Sequence, residues 1–285
     1  MNEINTITVV GAGQMGHQIA MLGALGGYRT ILCDIEKNNL EKAGATLEQL
    51  MNGWVRKQKI SEQEKKKAFE RLSFTEDLQA AAEQADFVIE AVVEKLDVKQ
   101  KVFSRLDEWA PEHAVLATNS STIVNSLLST NRTDRVVNMH FFYPPLVMDC
   151  VEVVMSDATS EETAQAAMTV SRRMNRTAVL LRKEISGFVA NRILGALQKE
   201  AVHLYEEGIA DYQDIDTIVK KALRHPIGPF ELMDLSGIDV GYFVQQQRYQ
   251  ETGDPEDKPA ACIEEKVKQG QLGRKTGQGW YTYPS

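Results

Sequence analysis

The feature that most constrains this chain is a glycine triplet set between two apolar runs near its start. Residues Ile7 to Asp34 read ITVVGAGQMGHQIAMLGALGGYRTILCD. The run over 7–10 flows into Gly11-Ala12-Gly13-Gln14-Met15-Gly16, an apolar helical pattern follows, and a second run over 30–33 ends on Asp34. A lone G-x-G-x-x-G says little, because glycine is common. Placed between strand and helix, with an acid about 20 residues on, it predicts a dinucleotide-binding turn. Gly11 permits a sharp turn, Gly13 lets a pyrophosphate approach the backbone, and Gly16 permits close packing of the first helix. The helix N-terminus offers N–H groups and a positive dipole end to phosphate. Asp34 is suited to accept both ribose hydroxyls and to repel a 2′-phosphate, so NAD is expected rather than NADP.

Strand and helix patterns then alternate. Strands are expected over 7–10, 30–33, 72–74, 87–90, 115–118, 136–139, 151–154 and 178–181, with helices over 37–57, 61–71, 98–109 and 161–174. Such alternation predicts an α/β fold with a mostly parallel sheet covered on both faces. The run over 151–154 follows that over 136–139 with no helix between, so it is expected to run antiparallel. After about residue 186 no strand is convincing. Helices are expected over 187–207, 213–223, 237–250 and 260–269, with a break over 226–229. The expectation is therefore a Rossmann-like domain over 1–185 followed by an all-helical domain over 186–285.

With 285 residues the chain is long enough for one large or two smaller cores. A net charge of −8 argues against a nucleic-acid partner held by the global field. Cys33, Cys150 and Cys262 form no CxxC pair, and no Cys/His cluster suggests a metal. Together with the absence of a basic leader and of a membrane-length apolar run, this reads as a reduced cytoplasmic protein.

A Rossmann domain does not choose its reaction. His140 closes the run over 136–139, at a strand's carboxyl end, where ligands bind in open α/β sheets. Glu152 lies in the next apolar run, and a turn at Pro144-Pro145 can bring it back beside His140. Imidazole accepts an alcohol's proton near neutral pH, and a carboxylate on its other nitrogen fixes the tautomer. The bland reading, a satisfied core histidine and a solvated glutamate, is weakened because a carboxylate flanked by valines wants a partner. Thr118-Asn119-Ser120-Ser121-Thr122 also follows a strand, where it is either a polar site loop or a helix cap.

The ordered blocks GAGQMG, EAVVEKLDVK, ATNSST, MHFFYP, VEVV, ISGFVANRI, HPIGPFELMDLSGID and GRKTGQGWY resemble those of the L-3-hydroxyacyl-CoA dehydrogenases across essentially the whole chain, bacterial 3-hydroxybutyryl-CoA dehydrogenases in particular. The resemblance implies NAD-dependent interconversion of a short-chain (S)-3-hydroxyacyl-CoA and the 3-oxoacyl-CoA. It implies His140 as base and Glu152 as its paired carboxylate. Ser121 matches the serine that touches substrate and cofactor, with Ser120 ranked second, and Asn191 an amide that holds the substrate. Cofactor contacts are implied for the loop 11–16 and Asp34, and for Glu94, Lys99, Asn119 and Lys275. Lys57, with Arg56 and Lys59, is a candidate for the polyanionic coenzyme A, although a solvated helix end fits it as well. The family's helical domain forms a homodimer. Tyr143 stands where an asparagine is usual and Asp149 where a lysine is common, and the loop from Ser121 to His140 is two residues shorter than expected. These departures bear on substrate choice more than on reaction type. Two rival readings keep the fold: a dehydrogenase of a free hydroxy acid, such as gulonate or carnitine, and a non-catalytic NAD-binding protein.

Overall fold

A computed structural model describes residues 3–128 and 130–284, with the side chains at 247, 248, 251 and 252 left out. The chain divides into two compact units, 1–188 and 189–285. The first is an eight-stranded sheet in the order β3-β2-β1-β4-β5-β6-β7-β8. Its strands are β1 (Thr6–Val10), β2 (Arg29–Cys33), β3 (Leu72–Thr75), β4 (Phe87–Glu90), β5 (Val115–Thr118), β6 (Val136–Phe141), β7 (Cys150–Val154) and β8 (Thr177–Leu181). Its helices are α1 (Gly16–Leu25), α2 (Lys37–Arg56), α3 (Glu62–Arg71), α4 (Leu78–Ala82), α5 (Leu96–Trp109) and α6 (Glu161–Arg173).

Strands β1 to β6 pair in parallel, β7 runs antiparallel to β6 as its short connection requires, and β8 returns parallel to β7. The central strands β1, β4, β5 and β6 are buried along their length because both faces are covered. One face sets Ile7, Val9, Phe87, Ile89, Val137 and Met139 against α1, α2 and α6. The other sets Val10, Val88, Leu116 and Val136 against Phe103 and Leu106 of α5. Each such side chain, fully buried, contributes roughly 1.5–3 kcal/mol.

The parallel register brings one row of residues to one edge. Val10 lies beside both Cys33 and Glu90, Glu90 beside Thr118, and Thr118 beside Asn138. Strand order reverses between β1 and β4, so the loops after them open the crevice at a topological switch point.

The second unit holds α7 (Ala190–Glu206), α8 (Tyr212–Lys221), α9 (Pro229–Ser236), α10 (Ile238–Thr252) and α11 (Ala261–Lys268). Its core joins Phe230 and Trp280, ring centroids 4.5 Å apart, to Tyr205 and Tyr212. Two buried carboxylates hold irregular backbone here. Asp216 accepts the N–H groups of Phe230 and Glu231 at the start of α9 and the Tyr281 hydroxyl. Asp234 accepts the N–H groups of Trp280 and Tyr281 and the Tyr283 hydroxyl.

Two helices lie outside the sequence expectation. Helix α4 has five residues, too few for a periodic pattern, and starts where the Asp77 carboxylate accepts the Ala80 N–H. Helix α9 begins at Pro229, inside the segment read as a break; proline fits the first turn because its missing N–H has no partner to lose. Helix α7 starts three residues later than expected, because Gly187 and Phe188 take φ of 78° and 46°.

Asp234→Ala strands the buried Trp280 N–H and the part-buried Tyr281 N–H, so it is expected to destabilise the protein by about 2–5 kcal/mol. Thermal melting together with protease sensitivity of the last residues measures this; an unchanged melt contradicts the assignment.

Candidate active site

The turn after β1 is built by two glycines that admit nothing larger. Gly11 has φ +104°, and a Cβ there would meet the Ala91 carbonyl oxygen at 2.7 Å. A Cβ at Gly16 would fall 1.7 Å from the Gly11 carbonyl oxygen, so the neighbour that requires this glycine is the turn itself. Gly13 differs: a Cβ there would meet nothing within 4 Å, and the residue is exposed. The first turn of α1 carries no acid. Open space over Gly13, beside an uncompensated helix N-terminus, fits a pyrophosphate. Asp34, at the end of β2, accepts the Ala12 N–H through Oδ2 at 2.7 Å, and the Glu36 N–H and Asn39 amide through Oδ1. The acid suited to a ribose thus also ties the glycine turn to the neighbouring strand.

The loops after β4 and β5 meet through charge. Glu90, the last residue of β4, is wholly buried, and the Lys99 ammonium of α5 reaches both its oxygens at 2.8 and 3.0 Å. Glu90 also accepts the Val92 N–H and the Thr118 hydroxyl, each at 2.7 Å. Removing one partner of such a buried pair typically costs about 3–5 kcal/mol. On its far side Lys99 approaches Glu94 at 3.3 Å. Glu94 Oε1 accepts the Ser120 hydroxyl at 2.5 Å, the N–H groups of Ser121 and Thr122, and the Thr122 hydroxyl. Burial raises the Glu94 carboxyl, but Lys99 and these hydrogen bonds outweigh it and hold the group below the usual carboxylate range.

Lys99 is 1% exposed, with its ammonium between two carboxylates. Ser120 is buried, its hydroxyl spent on Glu94 and on the Ile123 N–H, whereas Ser121 is more open, with its hydroxyl 3.5 Å from Glu94. Asn119 accepts the Phe141 N–H and so ties this loop to β6.

His140 and Glu152 are direct cross-strand partners in the β6–β7 ladder. Alternation along β6 sets Asn138 and His140 on the face opposite Met139. His140 Nδ1 lies 2.8 Å from Glu152 Oε2, and both side chains are buried. The rings of Phe142 and Phe188 pack on the imidazole at 4.5 and 5.5 Å. Glu152 engages the Nδ1 nitrogen of the ring. Two asparagines lock the approach: Asn138 accepts the Asn125 N–H and donates to the Ile123 carbonyl, while Asn125 donates to the Val154 carbonyl.

The remaining candidates lie elsewhere in the sequence. Asn191 is exposed in the first turn of α7. Lys275 pairs with Asp239 at 2.7 Å within the second unit. Lys57 is exposed just past α2, beside Arg56, and Lys59 lies over the Trp54 ring. Tyr143 is 60% exposed, and Asp149 accepts the N–H and hydroxyl of Thr177 at the start of β8. Sequence reasoning missed Glu90, Phe188 and the Asn125–Asn138 pair. For Glu90 the signal was present: an acid closing the apolar strand FVIE, followed by a lysine one helix turn into α5.

Comparison with known proteins covers the whole chain. Residues 6–185 match the 3-hydroxyacyl-CoA dehydrogenase NAD binding domain, and residues 187–283 match the 3-hydroxyacyl-CoA dehydrogenase C-terminal domain. The chain is 38% identical to a probable 3-hydroxybutyryl-CoA dehydrogenase of Bacillus subtilis, over 99% of this chain and 98% of that one. The (S)-3-hydroxybutyryl-CoA dehydrogenase structure from Ralstonia eutropha superposes with a TM-score of 0.91 at 35% identity, over 99% and 100% of the two chains. A diketoreductase that acts on dicarbonyl compounds superposes with a TM-score of 0.89 at 32% identity, over 99% and 100%. NAD is the cofactor these matches assign, in agreement with the turn at Gly13 and with Asp34.

The two outer positions of the turn's last G-x-x-G are expected to respond differently to alanine. Gly13→Ala should leave the melting temperature unchanged and weaken NADH binding about tenfold, roughly 1.4 kcal/mol. Gly16→Ala should cost roughly 1–3 kcal/mol of stability through overpacking. Fluorescence titration and thermal melting separate the two; an equal effect of both on stability contradicts the open cradle.

Proposed function

The chain belongs to the 3-hydroxyacyl-CoA dehydrogenase family, and we propose that its substrate is a short-chain (S)-3-hydroxyacyl-CoA such as 3-hydroxybutyryl-CoA, interconverted with the 3-oxoacyl-CoA. The observation that carries the mechanism is the buried 2.8 Å His140–Glu152 bond, on the strand edge that also bears the glycine turn. Oxidation of the 3-hydroxyl removes a proton from oxygen and a hydride from carbon. His140 Nε2 takes the proton, and Glu152 stabilises the resulting imidazolium through Nδ1–H. The Phe142 and Phe188 rings keep the imidazole in place and exclude water from its faces. Bound NAD supplies the hydride acceptor. In the reverse direction the same nitrogen returns the proton to the developing alkoxide. In this reading Ser121 and Asn191 contact the substrate, Asn119, Glu94, Lys99 and Lys275 contact the cofactor, and Lys57 supplies charge for coenzyme A.

A second reading keeps the dyad and changes the substrate to a free hydroxy acid or dicarbonyl compound. It is favoured by the likeness to a diketoreductase and by the exposed Tyr143 beside the histidine strand. We further propose a cytoplasmic homodimer formed through the helical unit. Val240, Phe243 and Val244 recur at helical spacing on α10 and are each more than half exposed, which suits a face covered by a second copy.

His140→Gln is expected to lower kcat by roughly 10²–10⁴-fold while NADH binding persists. An unimpaired variant, assayed by NADH consumption, sinks the mechanism. Across a series of 3-oxoacyl-CoA substrates, kcat/KM should peak at acetoacetyl-CoA and exceed that for free acetoacetate. A preference for the free acid moves the assignment to the second reading.

A further inference from the structure

The first turn of α1 is closed by side chains as well as by backbone. The His17 N–H reaches the Gly13 carbonyl only at 3.4 Å, while the His17 ring nitrogen Nδ1 lies 2.6 Å from the same oxygen. One residue on, the Gln18 amide donates through Nε2 to the Gln14 carbonyl at 3.3 Å. The other end of that amide leaves the helix altogether. Gln18 Oε1 accepts the Leu146 N–H at 3.3 Å, from a residue 128 positions later. Gln14 belongs to the glycine turn, and Leu146 lies in the loop 142–149 that joins the His140 strand to the Glu152 strand.

A carbonyl only accepts and a backbone N–H only donates, so one orientation of the Gln18 amide serves both partners. Gln18 is 6% exposed and Leu146 4%, so water does not replace either bond without a movement of the chain. The loop is otherwise open, with Tyr143, Val147 and Met148 exposed. Leu146 is its inner anchor, with its side chain in the main core and its N–H on Gln18.

We infer that Gln18 is a positioning residue that couples the glycine turn to the loop between His140 and Glu152, so that filling the turn orders residues 142–149 for substrate. A pyrophosphate over Gly13 fixes the peptide of Gln14, the Gln14 carbonyl fixes the Gln18 amide, and the amide fixes the Leu146 N–H. Such a link is reciprocal: whatever orders the loop also tightens the turn. The effect on turnover rests on the dehydrogenase reading proposed above; the effect on loop order rests only on a nucleotide in the turn.

The test compares the parent with Gln18→Met, which keeps the side-chain length but offers no amide, and with Gln18→Ala. ADP-ribose is the probe for the turn, added at concentrations that displace bound NADH. It carries the pyrophosphate but no nicotinamide, so any protection it gives to residues 142–149 passes through the protein. Hydrogen–deuterium exchange of that segment is followed with and without ADP-ribose. The Kd for NADH without acyl substrate, and kcat and KM for acetoacetyl-CoA, are measured beside it. In the parent, ADP-ribose should slow exchange of the segment by about fivefold or more. In Gln18→Met the segment should exchange at one rate in both states, and the KM for acetoacetyl-CoA should rise by about five- to tenfold. The Kd for NADH and kcat should each move less than about threefold.

A parent whose segment does not respond to ADP-ribose overturns the inference. So does a Gln18→Met protein that keeps the parental response, or one that loses NADH affinity while the loop still responds, since that confines Gln18 to the turn. If Gln18→Met does not fold, Gln18→Ala decides on the same criteria, and the parent comparison needs neither variant. If the parent fails to reduce acetoacetyl-CoA, the proposed substrate falls, and the exchange data alone sustain or overturn the coupling.

Discussion

The proposed chemistry of this protein depends on a register. Strand β7 folds back on β6 so that Glu152 lies directly opposite His140, and both point to one face of the sheet. Side chains alternate with period two, so a slip of one residue would turn the carboxylate to the other face and place a valine in its stead. No flexible loop intervenes between acid and imidazole. The pair is held by the ladder that carries it, and two phenylalanine rings pack on the imidazole.

The rest of the site follows from parallel strands ending together. Val10, Cys33, Glu90, Thr118 and Asn138 form one row across the sheet, and each is followed by a segment with a polar task. After β1 comes the glycine turn, after β2 Asp34, after β4 the Glu94 segment, after β5 the Ser121 loop and after β6 the strand end that holds His140. These loops are tied to each other by side chains: Asp34 to Ala12, Glu94 to the Ser121 loop, Asn119 to β6, Asn138 to Asn125. The buried Glu90–Lys99 pair supplies a strong charge contact beneath them.

Much of this was legible in the sequence. All eight strands fall where strands were expected, and the central ones are mainly apolar because a sheet covered on both faces needs no polar alternation. The antiparallel turn of β7 followed from the shortness of its connection. Helix α4 was not legible, since five residues carry no period, and α9 was hidden because proline reads as a breaker and also opens a helix. The Glu90–Lys99 pair was hidden for a different reason. A lysine in an amphipathic helix reads as solvated, and only the tertiary fold shows that its ammonium meets an acid from a strand nine residues earlier. The same limit applies to Glu94, whose donors come from a loop 26–28 residues away.

Asp34 carries a consequence for anyone redesigning cofactor preference. The residue suited to reject a 2′-phosphate is also the acceptor for the Ala12 N–H, inside the turn proposed to meet the pyrophosphate. Discrimination at one end of the dinucleotide and grip at its middle are therefore coupled through a single carboxylate. Replacing it with a small or basic residue removes the negative charge and also releases the turn. A switch to the phosphorylated coenzyme requires a second substitution that gives that backbone amide a new acceptor.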